Sequence, residues 1–428
     1  MKRLLLLIGV GLTVTGLAAQ DADSLINTRE VERIEKILSS DDMQGRAVFT
    51  SGIEKAADFI SQEFKVAGLA PLNPQTGYRQ SFSMLRTKIT QASVKFDGKL
   101  LDTRNLFVIS SQPKLKINSH SGFEKAYVKR GESLGLAFSK FLRQKKNFLV
   151  LVDTSLSQNF TRFARPGRAQ FKSENTLIFV LSDSDPVQYS IHIKQEVTES
   201  KLANCVGVLP GKSKKDEYVI FSAHYDHLGI GKPNAAGDSI FNGANDDASG
   251  STAVMMLAKL FGSKNDNERT LVFACFTAEE IGEFGSQYFS MQFDPLKVAA
   301  MFNIEMIGTE SKWGAHSAYI TGFERTDMGK ILQKNLEGSS FQFYPDPYPQ
   351  QHLFYRSDNA SLARQGVAAH TISTSKMDSE KYYHTVGDKI GTLDLENMTG
   401  IIKSIGISSA TIVSGKDTPS RVDATQLQ

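Results

Sequence analysis

Tyr218-Val219-Ile220-Phe221-Ser222-Ala223 is an apolar run of strand length, and it gives way at once to His224-Tyr225-Asp226-His227. The same layout returns twice. Residues 271–276 form a short apolar run that leads into Thr277-Ala278-Glu279-Glu280, and residues 298–304 form another that contains Asn303 and runs into Glu305. Between the first two lies Asn245-Asp246-Asp247, followed by an alanine-, methionine- and leucine-rich stretch, 251–261, that reads as a helix. Residues 205–209, 317–321 and 367–373 read as further strands, and 393–409 as a closing helix. Strands alternating with helices argue for an α/β fold with a mostly parallel central sheet flanked by helices on both faces. Ligands of such sheets gather beyond the carboxyl ends of the strands. Three of the polar clusters sit at strand exits. Asn245-Asp246-Asp247 and His384, which follows Tyr382-Tyr383, lie in loops. If the strands are parallel, all five converge on one edge.

Working outward, residues 28–38 carry Val31, Ile34, Ile37 and Leu38 at helical spacing. Thr50-Ser51-Gly52-Ile53-Glu54 opens a second helix that stops at Gly68. Between about residues 82 and 197 the texture changes to short β-prone runs at 92–96, 105–109, 148–152, 177–180 and 189–197, interrupted by a helix-like stretch at 136–141. The expected organisation is a main domain of residues 21–85 and 203–415, with 86–202 as a strand-rich insert or small second domain.

Composition narrows the function classes. The 428 residues are 40% hydrophobic and 22% charged, as in a globular chain, and the net charge of +3 gives no footing for nucleic acid or an anionic membrane. The basic run at 212–215 is a solvated turn, too small to track phosphates. Met1-Lys2-Arg3, an apolar run at 4–17, and the small residues Gly16, Ala18 and Ala19 have the layout of a secretory signal peptide, assigned to residues 1–20. The run is shorter than a membrane span. Export to the periplasm or the extracellular space, with no membrane anchor, is the expectation. Cys205 and Cys275 sit in apolar runs outside any zinc-finger spacing, and their sequence leaves a disulfide and two buried thiols both open.

Imidazole and carboxylate donors in this combination suit Zn²⁺ and also admit Mn²⁺ or Co²⁺. Two ions sharing a carboxylate can lower the pKa of a water between them, and a free carboxylate is then needed to take its proton. The pair Glu279-Glu280 offers one ligand and one base. Any one acidic pair alone reads as a solvated loop; the recurrence after apolar strands is the informative feature.

Taken together, Ser222-Ala223-His224-Tyr225-Asp226-His227-Leu228-Gly229, Asn242-Gly243-Ala244-Asn245-Asp246-Asp247-Ala248-Ser249-Gly250, Ala278-Glu279-Glu280-Ile281-Gly282-Glu283-Phe284-Gly285-Ser286, Phe302-Asn303-Ile304-Glu305-Met306-Ile307-Gly308 and Tyr383-His384-Thr385 resemble, in order and context, the metal-site motifs of the M28 family of zinc peptidases. Met43-Gln44-Gly45-Arg46 resembles that family's N-terminal part. The resemblance implies that His224 and Glu305 bind one zinc, that Asp246 bridges two, and that Glu280 and His384 complete the second. It implies Glu279 as general base, Asp226 as an acid hydrogen-bonded to His224, and a cis Asp246-Asp247 peptide. Tyr383 is a candidate oxyanion donor. His227 is not expected to be a ligand. Two positions depart from the best-known members: Glu305 stands where those enzymes carry Asp, which leaves one ion as the alternative to two, and Glu283 stands where leucine is common.

The expected function is therefore a zinc-dependent metallopeptidase that removes N-terminal residues from peptides with a free N-terminus. The alternatives are a carboxypeptidase- or dipeptidase-like member of the fold, for which Arg356 is the candidate cation, a glutaminyl cyclase, and a non-catalytic binding protein with a degenerate metal site.

Overall fold

The computed structural model describes residues 24–164 and 169–427, so the expected signal peptide lies outside the described residues. The described residues form two compact units: 24–81 together with 202–427, and those within 82–201.

The first unit is built on a sheet of β1 (Tyr189–Leu209, of which 202–209 belong here), β2 (Lys214–His224), β3 (Arg269–Phe276), β4 (Val298–Ile304), β5 (Ser317–Ile320), β6 (Gln342–Pro345) and β7 (Ala369–Ser373), in spatial order β6-β5-β7-β4-β2-β3-β1. The centre, β7-β4-β2-β3, is parallel as expected. The joints β5–β7 and β1–β3 are antiparallel. Helices α1 (Thr28–Leu38), α2 (Ser51–Val66), α3 (Ser249–Lys264), α4 (Phe284–Ser290), α5 (Met328–Asn335), α6 (Asn359–Ala363) and α7 (Leu395–Ser408) cover it. Asn27 caps α1, its side-chain oxygen accepting from the Glu30 N–H at 3.1 Å.

Side-chain alternation along the strands sorts the core into two faces. Val219, Phe221 and Ala223 of β2 join Leu271, Phe273 and Cys275 of β3 in one cluster, with the buried sides of α1, α2, α3, α5 and α7. Ile220, Val272, Ala274 and Phe276 point the other way, onto Phe289 of α4 and Leu362 and Ala363 of α6. Phe221 anchors the first face, stacked on Phe302 at 4.9 Å and on Phe273 at 5.5 Å between ring centroids. A sheet buried on both faces requires continuous apolar strands, which is why 218–223 and 271–276 lack the polar alternation of a half-exposed strand.

One local expectation changes, and one open reading closes. The strands read at 189–197 and 205–209 are one run, Tyr189–Leu209, because no glycine or proline interrupts the intervening segment. Tyr344 of β6 stacks on Trp313 at 4.1 Å between ring centroids. Cys205 and Cys275 are register partners across the β1–β3 joint, and both are free, buried thiols.

In the second unit, Leu106–Ile109, Leu177–Leu181, Phe148–Val152 and Glu124–Val128 form a four-stranded sheet in that order, with helices Leu134–Arg143 and Ser157–Phe163. One core gathers Val94, Leu149, Ile178 and Ile191, and another gathers Phe141, Val150, Phe160 and Phe179. Among the described residues, no helix is long and apolar enough to cross a membrane.

One buried ionisable group of β7 gives the fold a pH dependence. His370 donates from Nδ1 to the Thr321 carbonyl at 2.8 Å, and its Nε2 meets the Thr326 hydroxyl at 2.8 Å. Burial pushes its imidazole down to about 4 from an ordinary 6.5. The unfolded chain therefore binds the proton first. This contribution is complete above pH 6.5 and is lost as pH falls towards 4, up to about 3 kcal/mol in all. Urea unfolding of the wild type and His370→Gln across pH 4–7 should show the variant with the shallower dependence; equal slopes would contradict the assignment.

Candidate metal centre

The strand register brings the polar exits level. His224, the last residue of β2, pairs with Phe276 at the end of β3, and Ser222 pairs with Asn303 two residues before Glu305. Glu279 and Glu280 follow β3 directly, and the turn that enters α3 swings Asp246 across the ends of the strands. The Asp246-Asp247 peptide is cis.

Asp246 stands between two donor sets. Its Oδ1 is 3.2 Å from Nε2 of His224, and the ligand atoms of His224, Asp246 and Glu305 lie within 4.8 Å of one another. Its Oδ2 is 3.2 Å from Nε2 of His384, which is itself 3.1 Å from Oε2 of Glu280. The five residues proposed from sequence as metal ligands are thus brought together. Glu279 is beside them, its Oε2 4.0 Å from Nε2 of His224. Tyr383 stacks on His384 at 3.9 Å and lines a small cavity with Asn245, Met306 and Thr309.

The side chains fit a cation. Nδ1 of His224 lies 3.1 Å from the Asp226 carbonyl, which can only accept, so that nitrogen carries the proton. In the neutral ring Nε2 then presents a lone pair to a carboxylate oxygen. Two acceptors, Nε2 of His224 and Oδ1 of Asp246, face each other in a buried site; that Nε2 has no hydrogen-bond partner, and neither has Oδ2, which faces His384. A positive ion between them resolves the conflict. Burial pushes Glu279 up, and Glu305 up to about 7. Burial acts the same way on Asp246, but when His224 and His384 are protonated their hydrogen bonds outweigh it and hold that carboxyl well below its ordinary range, so that protons take the place of an ion. Acids packed this densely and away from water are stable when cations share them.

Residues 204–405 match the sequence model of peptidase family M28. That segment, just under half of the chain, is similar to an M28 peptidase domain. Leucine aminopeptidase 1 of Emericella nidulans is 26% identical over 44% of this chain and 50% of its own length, so the chain spans half of that relative. Leucine aminopeptidase 1 of Ajellomyces capsulatus is 24% identical over 70% of this chain and 80% of its own. The solved zinc aminopeptidase of Bacillus subtilis shares the fold with a TM-score of 0.54, 15% identity, and coverage of 91% of this chain and 95% of that one.

Hydrogen bonds between backbone groups and buried side chains hold the donor residues in place. Asp247 accepts from the N–H of Gly250 and Met306 through Oδ1, each at 3.0 Å, and from that of His224 through Oδ2 at 3.3 Å. Asp388, four residues beyond His384, accepts from the N–H of Asn245 at 2.7 Å and of Asp246 at 3.0 Å. Arg46 is fully buried and donates to the carbonyls of Tyr225, Leu38, Asn242 and Gly243 at 2.6–2.9 Å. Sequence reading missed Asp247, Asp388 and Arg46 as site residues. The only mark they left was their place inside or near the quoted motifs.

One sequence assignment is corrected. The carboxylate of Asp226 does not hold the ring of His224: it is 3.8 Å from Nδ1, and the hydrogen bond goes to the Asp226 main-chain carbonyl instead. The carboxylate accepts from the N–H of Glu279 and Glu280 at 3.1 and 3.3 Å, fixing the turn that carries both glutamates. The short β2–Asp226 turn aims the carbonyl at the ring and leaves the side chain free to reach across to the next strand exit. Glu283 is only 17% exposed and lies 3.8 Å from Arg364, so it is not an open-surface residue. Asn359 is structural, donating to the carbonyls of Phe354 and Ala369.

The approach of Asp247 to α3 demands glycine at 250. A Cβ there would lie 2.1 Å from the Ile304 carbonyl oxygen and 2.5 Å from Oδ2 of Asp247. Gly250→Ala should cost at least about 2 kcal/mol in urea unfolding; wild-type stability in that variant would contradict this packing.

Proposed function

We propose that this chain is an exported di-zinc aminopeptidase, with residues 21–85 and 203–415 as its catalytic domain and 86–202 as an insert. The observation that carries the reading is the division of Asp246 between two donor sets, one oxygen toward His224 and the other toward His384. His224 and Glu305 would hold one ion, Glu280 and His384 the other, with Asp246 common to both. Glu305 supports two ions rather than one, since its carboxylate falls within the same cluster as His224 and Asp246 despite the extra methylene. Zinc bound there supplies Lewis-acid polarisation of the scissile carbonyl and a water of lowered pKa.

The chain's own residues do the rest. Glu279 is beside the ligands without being needed as one, and it takes the proton from the attacking water and passes it to the leaving amine. Burial raises its proton affinity, which suits a group that must accept and then release a proton. Asp226 keeps Glu279 aimed by holding its backbone. The Tyr383 phenol, pinned by stacking on His384, donates to the carbonyl oxygen as charge develops there. Relatives named leucine aminopeptidase favour the N-terminal end of the peptide as the point of attack. Arg356, the cation that a carboxypeptidase would need, is exposed and reaches toward Gln351 at 3.5 Å. Export rests on residues 1–20 of the sequence.

Aminoacyl-p-nitroanilides with and without a chelator test the reading. Free-amine substrates should be hydrolysed, N-blocked ones should not, and chelation should stop the reaction. Glu279→Gln should lower turnover by about 10²–10⁴-fold with zinc content unchanged, whereas Glu280→Ala should lose zinc as well. Hydrolysis confined to N-blocked peptides with a free carboxylate, or normal rates in both variants, would overturn it.

A further inference from the structure

His227 is fully buried three residues beyond His224, and its ring turns into the same cluster. Its Nδ1 is 2.7 Å from Oε1 of Glu280 and 3.8 Å from Oδ2 of Asp246, and those ligand atoms together lie within 4.8 Å of one another. Two roles are open to such a group: a further metal ligand, or a hydrogen-bond donor that orients one.

Distances separate them. Donor atoms about 2.0–2.2 Å from a tetrahedral ion stand roughly 3.3 Å apart. The contacts of Asp246 with His224 and His384, and that of His384 with Glu280, are 3.1–3.2 Å, close to such an edge. The contact of His227 with Glu280, at 2.7 Å, is shorter and falls in the range of a charge-assisted N–H···O⁻ bond, about 2.7–2.9 Å. The other ring nitrogen agrees. Nε2 is buried without a hydrogen-bond partner. With the proton on Nδ1, Nε2 is only an unpaired acceptor. With Nδ1 as a ligand, Nε2 would be an N–H buried without an acceptor, the costlier arrangement. The ring has no freedom to turn away, because it packs on Gly243, where an added Cβ would lie 2.6 Å from Cγ and Cδ2 of His227.

We infer that His227 is a positioning residue: its Nδ1–H holds Oε1 of Glu280 and so presents Oε2, together with His384 and Asp246, to the second ion. The inference rests on the metal reading above and adds a residue that sets the affinity of one ion and not the other. A donor that orients a ligating carboxylate contributes about 10–100-fold in metal affinity.

Zinc titration of the metal-stripped full chain against a chromophoric chelator tests this without substrate or turnover. His227→Leu and His227→Ala should bind one zinc as tightly as wild type and the other about 10–100-fold more weakly. His227→Asn, whose amide N–H can take the place of Nδ1–H, should return the weak ion to within about threefold of wild type. Near-UV circular dichroism of the stripped proteins identifies any variant that misfolds, and either apolar variant suffices. Equal loss in His227→Asn and His227→Leu would make His227 a direct ligand and overturn the inference, as would wild-type binding in both apolar variants. Failure of the wild type itself to take up zinc is a separate result, and it would overturn the metal reading together with this inference.

Discussion

A single buried carboxylate, that of Asp247, joins the parts of the chain on which the centre depends. Its two oxygens accept from the end of β2 at His224, from the first turn of α3 at Gly250, and from the exit of β4 at Met306. Two of these backbone groups lie on or beside a residue of the donor cluster, His224 itself and Met306 next to Glu305. Neighbouring side chains repeat the device: Ser251 donates to the His224 carbonyl at 2.7 Å, Ser249 accepts from the N–H of Ile307 at 3.1 Å, and Asn245 accepts from that of Gly308 at 2.8 Å. One short segment, 245–251, thereby ties two strand exits together. A centre assembled from distant points in the chain keeps its geometry only if the backbone beneath it is fixed in this way, since small errors in position are costly in chemistry.

The electrostatic consequence is severe. Asp226, Asp246, Asp247, Glu279, Glu280 and Glu305 crowd against the buried His224 and His227 and the part-exposed His384. Burial pushes Asp226 up to about 6 and Glu305 up to about 7. Hydrogen bonds from backbone N–H groups offset part of the cost for Asp226 and Asp247, and the imidazoles offset part for Asp246. Positive ions complete the balance. The fold makes this affordable by placing the cluster at the rim of a sheet whose two faces are packed with apolar side chains, so the stable core and the strained charges occupy adjacent regions.

Much of this was legible in the sequence. The central strands and α3 could be read because a sheet buried on both faces needs unbroken apolar runs, and the runs at 218–223, 271–276 and 298–304 supply them. His224, Glu280 and Glu305 could be read because each follows such a run with a group that has no place in a core, whereas Asp246 and His384 lie in loops and were legible only through the resemblance of their motifs. What the sequence concealed depends on contacts between distant segments. Nothing near Asp226 indicates that its carbonyl, and not its carboxylate, meets His224. The role of Asp247 requires knowing that β2 and β4 end at the same level. His227 looks like a loop residue until β3 brings Glu280 against it, and Arg46 is informative only once four carbonyls from three segments surround it.

The account stands on Asp246 being shared by two ions. Crystals of the full-length protein equilibrated with zinc, measured at the zinc absorption edge, test this most directly. Two anomalous peaks about 3.5–4 Å apart, one on each side of the Asp246 carboxylate, are predicted. A single peak, or two that do not share Asp246, would contradict it.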